Sequence, residues 1–252
     1  MFGRVQLMSF PVNGYRLLPW SGYWAPNFPG GSYPNSIWRP TPGNSSSISG
    51  NNGALIAGAT APGIGTVLAG FSPAHFNAVI STELTSDETS TPNKTITDYI
   101  AASSGGLFMM VKPSNTGATA TGNTYDDTPL LIDTNADFGM TFSTLGLAGF
   151  AYDGAYKIAE FLTLSASAWH VCAVTYDGSN ITLRCDSQTP KSVACSTLTI
   201  FTGALQIGLG YGAAHNYSGD IMEIGFFKGY APTTTDYNNY KSYVNTTYGL
   251  SL

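Results

Sequence analysis

The run Trp169-His170-Val171-Cys172-Ala173-Val174-Thr175 leads into Tyr176-Asp177-Gly178-Ser179-Asn180, and a second run follows from Ile181 to Asp186. Val171, Ala173 and Thr175 alternate along the first run, and Ile181, Leu183 and Cys185 along the second. A period of two puts successive side chains on opposite faces of a strand, and two such runs joined by an Asp-Gly-type turn predict a β-hairpin.

Similar short runs recur between turn signals: 107–113, 129–134, 137–144, 145–152, 155–163, 190–195, 204–211 and 219–227. Strands recurring roughly every ten residues predict an all-β chain folded as a two-sheet sandwich. One helix is expected over 233–249. It has an Asp/Thr start, Tyr237, Tyr240, Val244 and Tyr248 at helical spacing, and Gly249 where a helix stops.

Residues 1–70 read differently. They hold eight of the fourteen prolines, twelve glycines, and Trp20, Trp24 and Trp38 of the four tryptophans. Prolines at that frequency disfavour helix and central strand. Aromatics at that frequency do not suit a free linker. The expected organisation is an irregular N-terminal arm and connector over 1–70, the connector being the low-complexity stretch 41–66, and a β-domain over 71–252. The arm carries Arg4, Arg16 and Arg39 and no acid, while all fifteen acids lie from Glu83 onward with the other seven basic residues. Such an arm suits packing on its own domain or, in preference, docking on an acidic neighbour, in a homo-oligomer or on another protein.

Only 10% of residues are charged, and ten Lys and Arg in 252 residues argue against a nucleic-acid partner. No window has the apolar length of a membrane span, and the N-terminus lacks the uninterrupted apolar core of a signal peptide. Synthesis in a cytoplasm is therefore expected. Five N-x-S/T sequons then read as by-products of a Ser/Thr/Asn-rich composition. Cys172 and Cys185 sit on the two arms of the hairpin and can approach one another, yet both also suit small core positions. With Cys195 they form an odd set, and no disulfide is expected.

The order of motifs resembles the laminin-G-like, concanavalin A-like lectin/glucanase jelly-roll superfamily, in the form found in bacteriophage structural proteins. The residues that carry the resemblance are Trp169-His170, Tyr176-Asp177-Gly178, Ile181 to Asp186, Leu205-Gln206-Ile207-Gly208, Gly219-Asp220-Ile221-Met222-Glu223, and the closing helix to Tyr248-Gly249-Leu250. Asp186 is followed by Ser187 where the pattern has Gly. The resemblance implies an antiparallel two-sheet jelly roll with a short C-terminal helix. It also implies a calcium site in loop acids, for which Asp126, Asp127 and Asp153 are the candidates.

The superfamily includes glucanases, whose retaining members need two carboxylates about 5 Å apart. Asp220 and Glu223 are spaced by three, which places them on opposite faces of a regular strand, and Asp126-Asp127 lie in a loop. No enzyme activity is expected. His75, His170 and His215 are dispersed, and His170 reads as structural. Tyr125, Tyr152, Tyr211 and Tyr217 are loop or strand-end aromatics of the kind that stack on sugars.

Low charge, the docking arm, the absence of a secretion signal and the resemblance together favour a structural or adhesive component of a virus particle, capsid or tail. Its partners would be itself, other virion proteins and a host-surface polysaccharide. The alternative is a cellular carbohydrate-binding lectin module, and a third reading is a glycoside hydrolase of the same fold.

Overall fold

The computed structural model describes residues 15–17, 24–26, 36–41, 44–49, 55–57, 62–77, 84–86, 95–115, 128–133, 137–198, 203–209 and 216–252. The first strands are β1 (Tyr15–Leu17), β2 (Trp24–Pro26), β3 (Ser36–Thr41), β4 (Asn44–Ser49), β5 (Leu55–Ala57), β6 (Gly63–Ile64), β7 (Ala74–Asn77) and β8 (Leu84–Ser86). After a one-turn helix α1 (Ile96–Tyr99) come β9 (Gly105–Pro113), β10 (Thr128–Asp133), β11 (Phe138–Ser143), β12 (Gly146–Tyr152) and β13 (Tyr156–Leu162). The chain ends with β14 (His170–Tyr176), β15 (Asn180–Cys185), β16 (Lys191–Ala194), β17 (Leu205–Ile207), β18 (Ser218–Lys228) and α2 (Thr234–Tyr248).

Strands β3 to β18 form a two-sheet antiparallel sandwich, while β1 and β2 pair with each other in a separate two-stranded sheet. One sheet runs β13-β12-β11-β10-β17-β8-β5, and the other runs β16-β15-β14-β9-β18-β3-β4 with β7 and β6 added along β18. The alternation in the sequence explains the layering. Leu107, Met109 and Val111 of β9 join Cys172 and Val174 of β14 in a core shared with Phe138, Met140 and Phe142 of the opposite sheet. The intervening Phe108, Met110, Val171 and Ala173 face outward, where Tyr237, Tyr240, Tyr243, Val244 and Tyr248 of α2 cover them.

The predicted hairpin is β14–β15, in register from Cys172↔Cys185 to Tyr176↔Ile181. Asp177 closes its turn, Oδ1 accepting from the amides of Ser179 (2.9 Å) and Asn180 (2.7 Å), and Gly178 has φ 92°. The terminal helix also stands where predicted. Thr233 and Asp236 form a capping box, and Gly249 ends the helix at φ 68°.

Part of the N-terminal segment departs from an extended arm. Ser36, Ile37 and Trp38 of β3 pair with Phe226, Gly225 and Ile224 of β18, and β4 pairs with β3 in turn. This stretch extends the domain's own sheet. Pro40, which has no N–H to donate, falls beyond the residues paired with β18, so it interrupts no bond there. The connector is likewise interrupted by β4, β5 and β6. Of the arm residues, Arg4 and Trp20 lie outside the described residues. Arg16, Trp24, Trp38 and Arg39 are described by backbone alone.

Candidate functional site

Strand pairing sets four chemically distinct side chains in a row across the outer face of the larger sheet. His75 of β7 lies opposite Asp220 of β18, and Asp220 lies opposite Lys112 of β9. Val111 pairs with His170, so Trp169, just ahead of β14, stands next to Lys112. Side chains contact as this register requires. His75 Nδ1 is 2.7 Å from Asp220 Oδ1, and the Lys112 ammonium lies 5.9 Å from the centroid of the Trp169 ring. A cation over an indole is held by the ring quadrupole.

A cleft of about 410 Å³ opens onto this row, lined by His75, Asp220 and Lys112, by Ile64, Gly65 and Thr66, and by Pro113, Ser114 and Ser167. Two local features shape it. β6 and β7 are joined by a tight turn in which Leu68 and Phe71 exchange both backbone hydrogen bonds (3.0 and 2.9 Å) while Ala69 and Gly70 take φ of 49° and 84°. Two left-handed central residues are the geometry of a type I′ hairpin turn. Next, Gly65 lets its backbone approach the carboxylate, since a Cβ there would meet Asp220 Oδ1 at 2.3 Å. On the other side Ser167 takes a left-handed φ of 64° and donates its amide to Pro113 O at 2.6 Å. Strained backbone of this kind clusters at functional sites.

Polar capacity is open in the cleft. The His75 side chain is 40% exposed, whereas that of Asp220 is 8% exposed. Among the described residues, neither His75 Nε2 nor the Lys112 ammonium has a hydrogen-bond partner or an ion pair. Ile64, 65% exposed, adds an apolar surface at the rim.

Asp220 and Glu223 do not lie on opposite faces. A bulge between Ile221 and Glu223 sets Asp220 opposite Lys112 and Glu223 opposite Met110, residues two apart on β9 and so on one face. The bulge nevertheless builds no carboxylate pair for hydrolysis. Glu223 is fully buried, with Oε2 accepting from Tyr243 Oη (3.1 Å) and Tyr248 Oη (3.0 Å) of α2.

His170, the first residue of β14, is structural. Nδ1 lies 2.7 Å from Asp186 Oδ2 and Nε2 lies 3.0 Å from the Ser165 carbonyl. Both partners are acceptors, so both ring nitrogens carry protons. Burial opposes that charge most strongly, but the hydrogen bonds to Asp186, Cys185 and Ser165 and the Asp186 charge together outweigh it and push the imidazole up to about 10. His170, Cys185 and Asp186 present ligand atoms within 4.8 Å of one another. Within this grouping the His170 ring and Asp186 form an ion pair at 2.7 Å.

The other expected site residues disperse. Tyr217 is fully buried, its hydroxyl donating to Asp220 O at 3.1 Å, so it offers no ring face to a sugar. Tyr152 is partly buried, its ring 5.2 Å from Tyr156 at the far edge of the smaller sheet. Asp153 Oδ2 accepts from the Ser196 amide (2.8 Å) and hydroxyl (3.0 Å), which hold its carboxyl below the usual range. Lys157 stands 3.6 Å from its other oxygen. Tyr125, Asp126, Asp127, Tyr211 and His215 lie outside the described residues. No sequence signal flags the cleft, because His75 and Asp220 are 145 residues apart and only the fold aligns them.

No protein-family model and no curated protein matches the chain by sequence. Solved structures do match in fold. Domain 4 of AbnA, a GH43 extracellular arabinanase from Geobacillus stearothermophilus solved with arabinotriose, aligns over 83% of this chain and 89% of its own (13% identity, TM-score 0.52). The binding domain of Paraclostridial Mosquitocidal Protein 1 aligns over 84% of this chain and 52% of its own (12% identity, TM-score 0.55). Trypanosoma rangeli sialidase, in complex with the inhibitor DANA, aligns over 81% of this chain but only 32% of the enzyme (10% identity, TM-score 0.51). At these identities the likeness establishes the two-sheet β-sandwich fold of this chain.

Proposed function

We propose that this chain is a carbohydrate-binding β-sandwich module whose ligand occupies the cleft over His75, Asp220 and Lys112. The observation that carries the reading is the register-built row of imidazole, carboxylate and ammonium beneath an open concavity. Its volume falls in the usual range for small-molecule sites, about 300–1,000 Å³. Sugar hydroxyls need both donors and acceptors. The Lys112 ammonium supplies donors, Asp220 and the His75 Nε2 lone pair (Nδ1–H being given to Asp220) supply acceptors, and Ser114 and Ser167 supply hydroxyls that do both. Ile64 offers contact to the apolar face of a pyranose or furanose ring. Support also comes from the fold, since the arabinanase domain that shares it was solved with a trisaccharide.

The site favours binding over hydrolysis. Of the two acids on this face, Glu223 is sealed beneath α2 and Asp220 is held by His75. Placement on a virus particle rests on composition and on the motif order, and none of the three structures named above is a virion component.

Calorimetric titration with a panel of neutral and acidic oligosaccharides, arabinotriose among them, tests the proposal. One or more should bind wild type and lose at least tenfold in affinity to Lys112→Ala. A panel that binds nowhere, or binds the variant equally, contradicts it.

A further inference from the structure

We propose that Cys172 and Cys185 are a redox-modification site, closing into a cross-strand disulfide that ties β14 to β15.

The two residues are direct partners in the hairpin register. Hydrogen bonding alternates along an antiparallel pair, and the Asp177 amide bonds to Asn180 O while the Asp186 amide bonds to Val171 O. Counting from either bond makes Cys172↔Cys185 a non-hydrogen-bonded pair. Such pairs have Cα atoms about 4.5 Å apart, inside the roughly 4.4–6.8 Å window that a disulfide spans. Both side chains point into the core between the sheets, and the sulfurs stand 3.7 Å apart as free thiols. Closure therefore needs side-chain rotation and no movement of the strands.

The surroundings differ for the two sulfurs. The His170 imidazolium and the hydrogen bond from Cys172 favour the Cys185 thiolate, whereas burial disfavours the Cys172 thiolate. Cys185 is thus the attacking sulfur and Cys172 the resolving one. With a small disulfide as oxidant, oxidised glutathione for example, the Cys185 thiolate attacks one sulfur and expels a glutathione thiolate. Cys172 then attacks Cys185 Sγ, the protein disulfide forms and the second glutathione leaves. Two electrons pass to the oxidant, and the two thiol protons pass to the leaving thiolates. Cys195 stands apart. It lies opposite Ser179 at the turn end of the hairpin, about 20 Å along the strand from Cys185 at roughly 3.3 Å per residue.

Both sulfurs are buried, so the test is run where the hairpin opens transiently. The full chain is held in a glutathione redox buffer containing urea below its unfolding midpoint, then alkylated in denaturant and digested. The expected result is a linked peptide pair containing Cys172 and Cys185, with Cys195 alkylated. The urea midpoint should also rise, and dithiothreitol should reverse the rise. The proposal is overturned if Cys172 and Cys185 remain alkylatable, or if the bond that forms includes Cys195.

Discussion

His75 Nδ1 and Asp220 Oδ1 lie 2.7 Å apart across the β7–β18 register, and Gly65 passes directly over that carboxylate. A Cβ at Gly65 would stand 2.3 Å from Asp220 Oδ1 and 2.9 Å from Pro73 Cγ. Gly65→Val should therefore displace the carboxylate, break the His75 contact and fill the cleft. Its circular dichroism spectrum should match wild type while saccharide affinity falls at least tenfold. Unchanged affinity would move the binding site elsewhere.

The His170–Asp186 pair makes a prediction about pH. The folded imidazole is pushed up to about 10 against an ordinary value of 6.5, so the folded state binds the proton more tightly. Its contribution to stability is complete below about pH 6.5 and is lost as pH rises toward 10. The urea midpoint of wild type should fall across that window. His170→Gln, less stable at pH 6, should show a flatter profile. A variant with the same slope as wild type would assign the pH dependence to other groups.

Glu223 anchors α2 through two tyrosine hydroxyls. Glu223→Ala leaves both hydroxyls buried without this acceptor and opens a cavity. It should destabilise by about 3 kcal/mol or more, read from chemical denaturation. Tyr248→Phe removes one donor and should cost about 1–2 kcal/mol. Equal costs for the two variants would mean that the carboxylate is satisfied in another way.

Gly178 holds φ 92° in the hairpin turn, with the Ser103 carbonyl 3.1 Å from where a Cβ would sit. Gly178→Val should destabilise by about 1 kcal/mol or more, because a β-branched residue resists that conformation. A neutral result by thermal melting would place the strain elsewhere in the turn.

The local elements of the fold were legible wherever a strand's pattern was self-contained. The alternation in 171–185 and the Thr233–Gly249 caps locate β14, β15 and α2 within a residue or two. Pairings across long separations were not legible. Ser36–Thr41 reads as a Pro-rich coil, yet it becomes a strand because β18 offers a partner edge. The bulge near Met222, which reverses the expected facing of Glu223, leaves no signature in the sequence. The candidate site was hidden for the same reason. Lys112, Trp169 and Asp220 are unremarkable singly, and only strand register sets them in one row. Tyr217 misled because an aromatic near a strand end looks the same whether it faces solvent or, as here, the core.

The most direct measurement is a nuclear magnetic resonance titration of the labelled chain with whichever oligosaccharide of the panel binds. The account predicts shifts centred on the His75 ring and on the amides of Lys112, Ser114 and Ser167, with the Trp169 indole N–H moving alongside them. Shifts centred on Tyr152 and Tyr156, or spread without focus over the smaller sheet, would contradict it.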